Sequence, residues 1–138
     1  MEPKQERLDH HAAIWSAVAE AVPEHIVVTE VDAGLDPTRT PVSVITEPTV
    51  RAATELTRGV FTAAFSVMTY AVTERVARRV HYEVADAVLD LGDMSYFGVS
   101  AWAARVVCTV EPSALPRSAA PDWPGVMSSY TLYIRTWR

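Results

Sequence analysis

The strongest constraint in this sequence is a change of period at Thr73. From Val60 to Val72, Phe61, Ala63, Phe65, Val67 and Ala71 fall on one side of a two-residue repeat, with Thr69 as the interruption. Thr62, Ser66 and Tyr70 fall on the other side, so the stretch reads as a long central strand. From Val76 the apolar residues recur at three- and four-residue steps, through Val80, Val84, Ala87, Val88 and Leu91 to a stop at Gly92. Thr73 is the natural N-cap of this helix, and Glu74 puts negative charge in its first turn. The wet side carries Arg75, Arg78, Arg79, Glu83, Asp86 and Asp90.

The flanking segments complete the order. An N-terminal helix is predicted from Gln5 to Val22, its apolar face formed by Leu8, Ala12, Trp15, Ala19 and Val22, and Pro23 stops it. A β-rich run follows from His25 to Val31. A turn segment with Gly34, Pro37 and Pro41 leads into a short strand over Val42–Thr46, closed by Pro48. The stretch Thr49–Gly59 reads as either a helical turn or a long hairpin loop. Two late strands are predicted over Trp102–Val110 and Ser128–Trp137, joined by a loop with Pro112, Pro116, Pro121 and Pro124. The order α-β-β-β-α-β-β predicts one α+β domain over residues 1–138. Its simplest form is a single antiparallel sheet of about five strands with both helices on one face.

Composition removes several function classes. With 138 residues, 49% hydrophobic and 21% charged, the chain has the make-up of one globular domain that folds without metal or disulfide. A lone cysteine, Cys108, rules out an intramolecular disulfide framework and a four-cysteine zinc site. No stretch is apolar enough to span a membrane as a helix, and the polar N-terminal residues lack a signal peptide's apolar centre, so a cytoplasmic start is expected. The net charge is −5, with five basic and ten acidic residues over 1–58 and seven of each over 59–138. That balance disfavours broad contact with a nucleic-acid backbone.

No constellation here specifies catalysis. His10 and His11 are adjacent on a helix and point about 100° apart, so they do not easily share one ion. His25 and His81 stand apart in sequence and read as structural or exposed. Cys108, between Val107 and Val110 in a strand pattern, reads as a small core residue without a nominated base. Asp86, Asp90 and Asp93 belong to the outer face and cap of a helix. No phosphate-binding glycine loop or hydrolase elbow occurs. Trp123 is the informative aromatic: within PDWP, it either contacts another chain or folds back on its own sheet.

With its N-terminal amphipathic helix, TPVSVI strand, FTAAFSVMTYAV strand running into TERVARRVHYEVADAVLDL, and closing YTLYIRTWR strand, the chain resembles the tail terminator proteins of long-tailed, non-contractile bacteriophages. The resemblance implies a structural virion protein, not an enzyme, with no cofactor. Its copies would form a six-fold ring capping the tail tube, stopping polymerisation and meeting the head connector. The implied partners are other copies, the tube protein and the connector. The place is the virion, with assembly in the host cytoplasm. Candidate partner-binding residues are Arg51 and Arg58 in the first long excursion, Arg75, Arg78 and Arg79 on the helix, and Pro121, Trp123 and Pro124 in the second. The bland reading of the arginine cluster, and the favoured one, is a solvated helix face. A head-to-tail connector or neck protein is the alternative, and a small α+β ligand-binding domain or enzyme is a third.

Overall fold

The computed structural model describes residues 9–31, 34–52, 60–91, 96–97, 101–116 and 123–136. Among the described residues, two helices, α1 (His10–Ala21) and α2 (Glu74–Asp90), accompany seven strands. These are β1 (Ile26–Val28), β2 (Val42–Ile45), β3 (Thr49–Ala52), β4 (Val60–Tyr70), β5 (Tyr96–Phe97), β6 (Ala101–Ala114) and β7 (Gly125–Thr136). The sheet runs β1-β2-β4-β7-β6-β5, and β3 shares the edge of β4 that β2 uses. The architecture is α+β, as the element order predicts.

The sheet differs in detail from the simplest version. It is mostly antiparallel, but β1 pairs with β2 in parallel, Ile26 beside Val42 and Val28 beside Val44. The connecting residues 29–41 are long enough for that crossover, with a turn in which Asp36 accepts from the amide and hydroxyl of Thr38. The ambiguous stretch after Pro48 begins as β3, antiparallel to β4 through Thr49–Ala64 and Ala52–Phe61. β2 and β3 thus form one broken strand beside β4. Pro48 lacks an N–H for the ladder, and Thr46 spans the break, donating its amide to the Ser66 carbonyl and accepting the Ser66 amide at its hydroxyl.

The core lies between the sheet and the helices. Ala63, Phe65 and Val67 of β4 and Val126, Tyr130, Leu132 and Ile134 of β7 are buried on one face. Val80, Val84 and Val88 cover them from α2, and Ile14 and Val18 from α1. Complete burial of an aliphatic side chain such as Leu132 contributes ~2 kcal/mol. The buried stripe of α1 is only partly the expected one: Val22 is buried and Ala19 packs against the core, but Ala12 and Trp15 are exposed, and Trp15 instead donates its indole N–H to the Val27 carbonyl at 2.7 Å. Ile14 and Val18 face the sheet instead, and the indole stays at the rim where its N–H finds a partner. Leu8, like Gln5 to Arg7, lies outside the described residues.

Both helix starts are capped by short oxygens. Asp9 accepts the Ala12 amide at 3.0 Å, and Thr73 accepts the Val76 amide at 3.2 Å. Thr73→Ala is expected to cost ~1 kcal/mol, read as a lower urea midpoint with unchanged slope. At the far end of β4, Gly125 lets β7 approach closely. A Cβ there would stand 2.8 Å from Leu115 Cδ1, 3.0 Å from Tyr70 Cδ1 and 3.1 Å from the Thr69 carbonyl oxygen. Leu115 can swing away but the carbonyl cannot, so Gly125→Ala should cost about 1–3 kcal/mol in chemical denaturation.

The long outer strand β6 is irregular. Its register with β7 slips between Ala103 and Arg105, Cys108 and Val110, and Val110 and Ser113. Among the described residues, its other edge carries only β5, beside Ala101 and Trp102.

Candidate functional site

Beneath α2, five buried polar side chains form one hydrogen-bonded chain. Ser43 Oγ on β2 lies 2.8 Å from Thr69 Oγ1 on β4, which lies 2.9 Å from His81 Nδ1 on α2. His81 Nε2 is 2.7 Å from Ser128 Oγ on β7, and that oxygen is 2.6 Å from the Tyr130 hydroxyl. All five residues are at most 1% exposed. Thr69, the interruption in the apolar face of the central strand, is therefore the residue that meets the helix histidine. Burial, assisted by the nearby Arg78 charge, lowers the His81 pKa to about 4, so the ring is neutral at pH 7. One ring nitrogen then donates and the other accepts, satisfying both neighbours. Periodicity puts His81 on α2 but gives no sign of its two hydroxyl partners, which come from separate strands, β4 and β7.

The network has no access to solvent and so no reach to a substrate. It is a structural lock between α2 and the sheet. Two of the other histidines also have partners: His11 Nε2 lies 2.6 Å from the Ile45 carbonyl oxygen, and His25 pairs with Glu83, joining the turn after α1 to α2. Glu24, His25 and Glu83 bring three potential metal-ligating atoms within 4.8 Å of one another. Both carboxylates are more than half exposed, and the group reads as a surface ion pair. Cys108 is half-buried and packs against the core from β6, and burial, then the Glu111 charge, raises its pKa. It is a poor nucleophile in this setting.

The candidate partner-binding residues divide between two surfaces. Arg75, Arg78 and Arg79 lie together in the first half of α2, where Arg78 reaches Glu74 at 3.8 Å, and Arg75, Val76 and Arg79 border a shallow hollow of about 290 Å³. Arg51 lies on the opposite side of the sheet. It is in register with Thr62, which points away from the helices, as do Tyr133 and Arg105, whose guanidinium lies 5.9 Å from the Tyr133 ring centre. Trp123 is half-buried, and its ring meets Tyr70 edge-on with centres 5.7 Å apart. Pro124 accepts the Ala71 amide at 3.1 Å. Arg58 and Pro121 fall outside the described residues. A second open hollow, about 280 Å³, is lined by Asp9, His11, Ala12, Trp15 and Thr29. Among the described residues no helix is long and apolar enough to cross a membrane.

These features define an α+β protein whose polar centre is sealed and whose charged groups are displayed outward on both sides of one sheet. No protein-family model and no curated protein matches the sequence. Among solved structures, the chain is similar in fold to a chain of the virion of a native gene transfer agent particle. The TM-score is 0.61 at 14% identity, covering 92% of this chain and 95% of that one.

Proposed function

We propose that this chain is a structural, non-enzymatic component of a phage or phage-like virion, and within that class a tail terminator. The observation that carries the reading is the shared fold over 92% of the chain with a component of a gene transfer agent virion. In this reading the copies form a six-fold ring on the end of the tail tube. The ring stops tube polymerisation and offers its other side to the head connector. The protein assembles in the host cytoplasm, uses no cofactor, and stays in the virion.

A sealed core with charge on both sides suits such a role. Arg51 on the sheet side, Trp123 and Pro124 at the end of β4, and the α2 arginines are the residues proposed to meet partners, and Arg58 and Pro121 are proposed with them. The ring needs several faces at once, one for the neighbouring copy, one for the tube and one for the connector.

Electron microscopy of lysates from a phage with this gene interrupted tests the reading. Tails of uncontrolled length beside filled, unattached heads are expected. Tails of normal length that fail to join heads would replace the terminator with a connector, and intact virions would overturn both.

A further inference from the structure

The exposed side of α2 carries Arg75, Arg79, Tyr82, Glu83, Asp86, Leu89 and Asp90. This row has a hidden symmetry about the point between Tyr82 and Glu83. Arg75 lies as far before that point as Asp90 lies after it, and Arg79 as far before as Asp86 after. Turning the helix end for end therefore exchanges each arginine with an aspartate.

We propose that this face is where two copies of the chain meet, with their α2 helices antiparallel about a two-fold axis at Tyr82–Glu83. The pairing sets Arg75 against Asp90 and Arg79 against Asp86, and the symmetry repeats each contact. The two Tyr82 rings meet beside the axis. Of the six large hydrophobic side chains exposed among the described residues, three belong to this helix or its approach: Val72, Tyr82 at 49% and Leu89 at 44%.

The isolated chain leaves these charges unbalanced. Arg75 and Arg79 are like charges one turn apart, as are Asp86 and Asp90, and each such pair destabilises a lone helix. None of the four makes an ion pair among the described residues, whereas Arg78 and Glu83 are already engaged, with Glu74 and His25. A second copy is the occupant that supplies both missing charge signs at the required spacing. An α-helix of 17 residues is ~25 Å long, so the contact is smaller than a standard interface and depends on charge. The pairing concerns free copies in solution; it draws on Arg75 and Arg79, which the tail-capping reading also gives to partners, so the pair has to part before a ring closes on that face.

Sedimentation velocity of the full chain tests it. The wild type is expected to dimerise in dilute buffer, and the association should weaken by about tenfold or more in molar salt. Arg75→Glu/Arg79→Glu and Asp86→Arg/Asp90→Arg should each be monomeric, with wild-type circular dichroism and melting to show that both are folded. Mixed in equal amounts, the two should dimerise again. In a Cys108→Ser background, Tyr82→Cys should be joined into a covalent dimer by a short bis-maleimide, which an end-to-end contact between helices would not allow. A wild type monomeric at the highest soluble concentration, swapped variants that still associate, or a failure of the mixture to recover would each overturn the pairing. An absence of crosslinking would overturn its two-fold geometry. Tail length in the interrupted-gene phage would be untouched by any of these results.

Discussion

Stability should fall as the pH drops from about 6.5 to about 4, and His81 should be the main cause. In the unfolded chain this histidine takes up a proton near its ordinary value of 6.5, but in the folded protein only at about 4. The folded state therefore binds fewer protons in that window, so the stabilisation present above pH 6.5 is lost as the pH falls through the folded value. The separation corresponds to about 3 kcal/mol once the pH is below 4. A charged ring there would have to remain in a site sealed by α2, β2, β4 and β7, with the Arg78 charge nearby. His10, whose pKa is lowered by burial against the raising influence of Asp9, adds a smaller effect of the same sign. Urea midpoints at pH 7.5 and 4.5 measure the difference. The His81→Leu protein, less stable at neutral pH, should show a much flatter profile, and a profile as steep as wild type would assign the acid sensitivity elsewhere.

Tyr130→Ala should be among the most damaging single substitutions, at about 3–5 kcal/mol. The ring is 1% exposed, stacks at a tilt on Phe65 with centres 5.7 Å apart, and ends in the hydroxyl that closes the buried chain at Ser128. Removing it opens a void in the middle of β7 and takes a partner from a buried oxygen. Tyr130→Phe separates the two effects. It keeps the ring and should cost only ~1 kcal/mol, because Ser128 retains His81. Equal losses in the two variants, measured by denaturant unfolding, would mean that the hydroxyl rather than the ring carries the stability.

Much of the architecture is legible in the chain. The period change at Thr73 identifies both β4 and α2, since an eleven-residue alternation and a seventeen-residue amphipathic helix each leave a long signal. Shorter elements are less visible. Thr49–Ala52 pairs only because β4 offers it an edge, which no local pattern reveals. The alanine-rich α1 has two competing stripes, and the choice of Ile14 and Val18 over Trp15 is made by the sheet beneath. The parallel pairing of β1 with β2 likewise depends on how residues 29–41 cross over. For the candidate site, the arginines of α2 share a helix and are therefore legible as a group. Arg51 ends on the other side of the sheet, a separation set by register rather than by sequence distance. The two hydroxyls that His81 meets, on Thr69 and Ser128, are 12 and 47 residues from it in sequence and converge only through the folded sheet, and composition carries no trace of that convergence.

The slips along β6 have a consequence for how copies of this protein can accumulate. A strand arriving from another molecule needs a run of amides and carbonyls in step, and three interruptions between Ala103 and Ser113, with Pro112 among them, divide the edge into short pieces. Templated growth from strand to strand therefore has nowhere to start on this stretch. A copy that meets this stretch is left to recognise it by side chains instead of by a continuous strand ladder.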